Sequence, residues 1–434
     1  MTTVANAARF AFRRVLWHHR LMMNEAIDWA AFRTKFPVTE RLIYLNTGWS
    51  GPSAREVVDA LRQRAEREAM EGPTTLEVRH EKALLVREAR VATALLIGAD
   101  TDEIALMSTT TEGVNVVLRG LGLAAGDEVI TCNLEHSSVI VPCYDLRRRF
   151  GVDITVVRSS AHEPADELAR LFEDAISPRT KLVVVSHISY NRGTRLPVER
   201  IIAAAHAAGV PVLLDGAQSV GQIDVDVHAL GVDFYAFPGH KFVLAPDAFG
   251  ALYVRRDLIE GLEPLAVAHG IAEQYDFHGA FVPRLDAMKK FEIATHSGAL
   301  LAAVIKAIEL LEATGLPAIE ARLRALADRL IEGLQRMPNV TICGPLDPPL
   351  RSALATFTVG DLDPSEACAA LWQLRRVVGR VVNDSRVRLS IAPFNDEVDV
   401  DAALEAIEYL ATRGLPSGAM TAQQYKDLVL EDDD

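Results

Sequence analysis

Long apolar runs are missing from this chain of 434 residues. None reaches the ~18 residues of a membrane span, so no membrane role is expected. Cysteine is scarce. Cys132, Cys143, Cys343 and Cys368 stand far apart, with no C-x-x-C pair. That spacing excludes a disulfide scaffold and a zinc ribbon, and it fits a reducing, cytoplasmic compartment. Basic charge is in deficit: 45 Lys and Arg against 59 Asp and Glu give 45 − 59 = −14. Such a chain has no general attraction to nucleic acid or anionic lipid. There is no internal repeat and no low-complexity stretch. What remains is ordinary globular usage, with 49% hydrophobic residues to build a core. The length allows two or three domains.

The ends carry less information. Residues 1–22 hold Arg9, Arg13, Arg14 and Arg20 and no acid. An amphipathic presequence, a docking helix and an extension ahead of a start at Met22 or Met23 all fit. Glu431 to Asp434 form an acidic run, expected to be solvated.

From about residue 85 to 255, short apolar segments alternate with helical patterns. Glu128–Cys132, Asp153–Val157, Lys181–Ser186, Pro211–Asp215, Asp233–Phe237 and Gly250–Val254 read as strands. Pro164–Ala175 and Val198–Ala208 read as helices, with Pro164 at a first helical position. The alternation predicts an α/β fold with a mostly parallel sheet covered on both faces. Such sheets hold ligands at the carboxyl ends of their strands. Beyond residue 297 two long helices, Ser297–Ala313 and Pro317–Arg336, lead into a smaller α+β region.

Residues that bear chemistry gather at those strand ends. Asp215 closes a strand and precedes Gly216-Ala217-Gln218-Ser219. His240-Lys241 follow the next strand and a Pro238-Gly239 turn. Ser108-Thr109-Thr110-Thr111-Glu112-Gly113 opens a helix, and His136 follows the strand ending at Cys132. A strand-end carboxylate can keep a heteroaromatic nitrogen protonated. A lysine can form an imine with an aldehyde. A hydroxyl-rich turn at a helix start can bind phosphate. A histidine can stack on a flat ring. Together these describe a site for pyridoxal phosphate.

Leu213-Leu214-Asp215-Gly216-Ala217-Gln218-Ser219, Phe237-Pro238-Gly239-His240-Lys241 and Thr110-Thr111-Glu112-Gly113 resemble the class V aminotransferase group of fold-type I pyridoxal phosphate enzymes. The resemblance covers roughly residues 40 to 410. It implies a large domain with a mostly parallel sheet and a smaller C-terminal α+β domain. The chain then divides into an N-terminal extension with a small-domain segment (1–46), a large cofactor-binding domain (47–315), a small domain (316–415) and an acidic tail (416–434).

The same resemblance implies roles. Lys241 matches the lysine that bonds the cofactor, Asp215 the partner of the pyridine nitrogen, and Gln218 the contact to the ring hydroxyl. His136 matches the stacking histidine, while Thr110, Thr111 and His240 match phosphate ligands. Asn191 resembles the asparagine near the ring oxygen. Thr295 matches a threonine that reaches the partner subunit's phosphate, which implies a homodimer with shared active sites. Arg388 matches the arginine that clamps the substrate carboxylate, as a guanidinium fork suits. Arg380, Arg386 and Trp49 are candidates for the same mouth. No metal is implied.

Two departures bear on the reaction. Pro238 stands where relatives usually have Ser or Thr. The loop that carries a nucleophilic cysteine in desulfurases is short here, and Val381 to Val387 contain no cysteine. Persulfide formation needs a mobile thiolate at the substrate sulfur. The expected reaction is therefore α,β-elimination from an S-substituted L-cysteine, giving thiol, pyruvate and ammonia. Epimerisation of the isopenicillin N type and decarboxylation coupled to oxidative deamination are the alternatives.

Overall fold

The computed structural model describes residues 27–267, 269–292 and 295–429. Residues 1–22 and the acidic run Glu431–Asp434, both read above, lie outside them. Seven strands make the main sheet: β1 (Ile104–Met107), β2 (Glu128–Cys132), β3 (Asp153–Val157), β4 (Thr180–Ser186), β5 (Val212–Asp215), β6 (Phe234–Pro238) and β7 (Gly250–Val254). Their spatial order is β1-β7-β6-β5-β4-β2-β3. Strands β2 to β6 pair in parallel. β7 is reversed and pairs antiparallel with both β6 and β1.

Successive side chains of a strand point to opposite faces, and here both faces are apolar. Val129, Leu182, Leu213 and Phe234 enter one buried cluster. Their successors Ile130, Val183, Leu214 and Tyr235 enter the other. The covering helices include α1 (Arg55–Glu71), α2 (Leu76–Leu96), α3 (Thr110–Gly120), α4 (Ser137–Phe150), α5 (Ala165–Ala175), α6 (Val198–Ala207) and α7 (Gly298–Thr314). Pro164, expected at the first helical position, is instead the N-cap of α5, and the helix starts one residue later at Ala165. Its fixed φ suits the entry to the helix while Ala165 takes the first turn.

Helix α8 (Leu316–Gln335) leads to a second, antiparallel sheet. Its strands are β8 (Val340–Ile342), β9 (Leu354–Val359), β10 (Arg380–Val382) and β11 (Arg386–Ser390), in the order β8-β9-β11-β10. Helices α9 (Pro364–Arg375) and α10 (Glu397–Arg413) complete this region. The N-terminal segment joins it. Ile43–Tyr44 pair in parallel with Val377–Val378, and Asn46 bridges Ser390. Arg33 forks onto Asp399 at 2.6 and 3.0 Å. Within the stretch expected as an acidic tail, Ala422–Val429 form a further helix, α11, and Tyr425 packs against the core.

Candidate active site

The carboxyl ends of β1, β2, β4, β5 and β6 open into one cavity of about 220 Å³. It is walled on the other side by Gly48, Trp49, Arg380 and Arg388. Each functional side chain is placed by a strand end or a helix start. Asp215 is the last residue of β5 and is buried, with Oδ1 accepting the Ala217 N–H at 2.8 Å. Gly216 follows because nothing larger fits: a Cβ there would lie 2.1 Å from the Tyr235 ring. Lys241 stands three residues beyond β6. Its backbone is fixed from above by the Gly51 N–H, which donates to the His240 carbonyl at 2.6 Å.

At the start of α3, two polar groups are spent on the turn itself. Thr109 Oγ1 accepts the Glu112 N–H at 3.1 Å, and the Ser108 N–H donates to Glu112 Oε2 at 2.7 Å. Thr110 and Thr111 are left for the cavity, and the buried Thr110 Oγ1 has no hydrogen-bond partner. His136 caps α4 with its ring: Nδ1 accepts the Ser138 N–H at 3.1 Å. That bond leaves the proton of a neutral ring on Nε2.

Electrostatics follow from enclosure. The surrounding walls push the Lys241 amine down to about 8; Arg388 and Arg380 add to this, and Asp215 opposes it. Burial raises the Asp215 carboxyl, with Lys241 and the Ala217 N–H pulling the other way. Burial and the nearby cations push His136 down to about 3, so its ring is neutral at working pH. Arg388 is fully buried and, among the described residues, has no carboxylate partner. Its Nη1 donates to the Tyr190 carbonyl at 2.8 Å, while Nε and Nη2 make no bond. Burial, then Arg380, weakens its hold on the proton. A buried guanidinium with an open fork is a binding site for an anion.

The sequence-derived residues converge here with few exceptions. Trp49, Thr110, Thr111, His136, Asp215, Gln218, His240, Lys241, Arg380 and Arg388 all line the cavity. Asn191 does not; it is buried behind the wall with Oδ1 unpartnered. Thr295 is exposed and away from this cavity, and Arg386 does not reach it. Sequence reasoning passed over Ser138, Ser186 and Gly48, which also line the wall. Ser186 was open to detection, since it ends β4 directly opposite Asp215. It also passed over Glu135, buried beneath the site. Its carboxyl accepts from the Ser186 N–H and Oγ–H at 2.9 and 2.7 Å and is pushed up to about 7 by burial.

A family model for class V aminotransferases matches residues 43–403. The chain belongs to that family. A probable cysteine desulfurase from Methanothermobacter thermautotrophicus is 30% identical over 400 residues, covering 88% of this chain and 98% of that one. A cysteine desulfurase from Serratia proteamaculans is 31% identical over 341 residues, covering 76% and 82%. Among solved structures, the cystine C–S lyase C-DES in complex with its reaction product cysteine persulfide superposes with a TM-score of 0.80. It is 26% identical, with 86% of this chain and 99% of that one covered. The cysteine desulfurase CsdA from Escherichia coli gives 0.81 at 25% identity, covering 90% and 100%. This class V member is a pyridoxal phosphate enzyme of the carbon–sulfur lyase type.

The residues present fit that cofactor. Gln218 Oε1 and Thr110 Oγ1 are buried without partners on the cavity wall. A buried polar atom left unpaired costs about 1–3 kcal/mol, which a polar ligand in the cavity would recover. Among the described residues, no hydrogen bond or ion pair engages the Lys241 amine.

Proposed function

We propose that this chain cleaves the Cβ–S bond of an S-substituted L-cysteine by α,β-elimination, consuming one water and releasing thiol, pyruvate and ammonia. The observation that carries the reading is the arginine hairpin. β10 and β11 pair from Arg380↔Arg388 to Val382↔Arg386 and leave a turn of Asn383, Asp384 and Ser385. Asn383 and Asp384 adopt positive φ, and the Tyr190 hydroxyl donates to Asn383 Oδ1 at 2.8 Å. This turn has neither a thiol nor the length to swing one over the cavity. The four cysteines lie elsewhere. Cys132 and Cys368 are buried, Cys343 is half-buried, and burial pushes Cys143 up to about 12. With no thiolate to accept sulfur, sulfur leaves with its substituent, as a thiol or, from cystine, as a persulfide.

When bound, pyridoxal phosphate supplies an electron-withdrawing ring that stabilises negative charge at the substrate α-carbon. Lys241 would hold the cofactor and then take the α-proton, a role its lowered proton affinity suits. Asp215 would keep the ring nitrogen protonated, Gln218 would bind the ring hydroxyl, and the neutral His136 would stack on the ring. Thr110, Thr111 and His240 would bind the phosphate at the start of α3. Asn191, which does not line the cavity, is left out of these contacts. Arg388 would fork onto the substrate carboxylate, with Arg380 and Trp49 at the mouth. We assign the exposed Thr295 to the partner's site in a homodimer. The hairpin Ala272–Tyr275 and Phe281–Pro283 supports an uncovered interface, since Tyr275, Phe277 and Phe281 are exposed on it. The compartment proposed is the cytoplasm.

The test is a panel of S-substituted cysteines, cystine and plain cysteine, with thiol, pyruvate, carbon dioxide and oxygen followed together. Elimination gives equal thiol and pyruvate without oxygen uptake. Stereochemical inversion without pyruvate would make the enzyme an epimerase. Carbon dioxide release with oxygen consumption would make it an oxidative decarboxylase.

A further inference from the structure

We infer that Trp49 selects the sulfur substituent, and that the best substrates carry a flat apolar group on sulfur, of the S-benzyl or S-aryl kind. The inference rests on the lyase reading above and names its substrate class. Arg380 and Arg388 are direct cross-strand partners, and both reach the cavity. Like charges facing each other across a strand pair repel. The indole of Trp49 offsets that repulsion: the guanidinium carbon of Arg380 sits 4.1 Å from its ring centroid, a cation–π contact. Its neighbour Gly48 lies against the other arginine, where a Cβ would come within 3.2 Å of Arg388 Nη2. Two consecutive residues of one loop thus set both guanidinium groups.

Packing does not explain Trp49. It belongs to neither apolar cluster. It remains 40% exposed at the cavity mouth although Arg380 lies against its ring. A pair of rings lines the same cavity, with His136 and Tyr190 meeting edge-on at 4.8 Å between centroids. Arg388 fixes the carboxylate end of a cysteine conjugate, so the substituent on sulfur extends toward the mouth. A methyl group there covers little of the open indole. A flat ring covers much of it and gains from stacked or edge-on contact.

The experiment compares S-benzyl-L-cysteine with S-methyl-L-cysteine in wild type, Trp49→Phe and Trp49→Ala holoenzymes. The wild-type ratio of kcat/KM should favour the benzyl conjugate by at least about tenfold. The alanine variant should lose about that factor in the ratio, while phenylalanine keeps most of it. Affinities of both conjugates are also measured by calorimetry on the Lys241→Ala holoenzyme, with and without Trp49→Ala, where no turnover intervenes. A Trp49-dependent preference in affinity without pyruvate from any conjugate would sink the lyase reading and leave this one standing. A wild type that favours the methyl conjugate, or a ratio unmoved in Trp49→Ala, overturns the inference; Trp49→Leu, which removes the ring and should lose the same factor, keeps it testable if the alanine variant fails to fold.

Discussion

Protonation of single groups governs what this cavity does. The Lys241 amine is held down to about 8 by enclosure and by two arginines, and only the neutral amine attacks an aldehyde. In the cofactor-free chain, the rate of pyridoxal phosphate attachment should rise with pH and level off just above 8. A rise continuing past 10, as for an ordinary lysine, would remove the depressed amine from the account. Lys241→Ala should bind amino acids and cofactor without releasing pyruvate; normal turnover in that variant would move the catalytic amine elsewhere. Arg388→Lys replaces a fork by a point charge, so KM for carboxylate substrates should rise about 10- to 100-fold. An unchanged KM would place the clamp on another cation. At this scale much was legible, because chemistry here rides on side chains at strand ends, and strand ends can be counted. Asp215 and Lys241 stand out that way, whereas Gln218 takes its role from the family resemblance. Ser138 does not: its N–H and hydroxyl meet His136 Nδ1 at 3.1 and 2.9 Å, a contact made by the turn into α4 and not by a strand end. Glu135 was hidden because its contacts, Cys132 and Ser186, come from β2 and β4, whose pairing the sequence does not print.

Elements hold those groups in place, and two turns matter most. Gly48 lets the 46–51 loop close on the site: its N–H donates to Ser390 Oγ at 2.8 Å, and its carbonyl accepts from Gln218 Nε2 at 2.8 Å. A Cβ there would meet Gln218 Oε1 at 3.0 Å and Ser390 Oγ at 3.1 Å. Gly48→Ala should therefore raise both the KM for substrate and the dissociation constant for cofactor, about tenfold each, with little change in melting temperature. A large loss of Tm with unaltered KM would make the glycine a folding residue only. The tight turn at Asn383 was legible only as a length and a missing cysteine. That it closes as a paired hairpin depends on positive φ at Asn383 and Asp384, which asparagine and aspartate tolerate better than most. The reversal of β7 was not legible either, because an apolar run reads the same in both directions.

At the scale of the whole molecule, the site is where the two sheets meet. Gln222 ties them: Oε1 accepts the Ala353 N–H at 2.8 Å from the small sheet, and Nε2 donates to the Gln218 carbonyl at 2.6 Å. Burial also sets the acid limit of stability. His187, buried with Nδ1 against the Tyr235 hydroxyl at 2.9 Å, is pushed down to about 3. Unfolded, it titrates near ~6.5. Between these values the unfolded chain takes a proton that the folded one refuses, so stability falls as pH drops through that window. His187→Gln should flatten the dependence between pH 4 and 6 by about 1.4 kcal/mol per unit. Denaturation curves at several pH values would show it; parallel slopes in both proteins would refute it. One topological detail has a further effect. β1 touches the main sheet through β7 alone, and Met107 and Gly250 are 250 − 107 = 143 residues apart. At ~5–20 residues per second, a ribosome needs roughly 7–30 s to cover that distance. During that time the nascent segment 104–107 has no neighbour to zip onto, and chaperones have that long to guard an open edge.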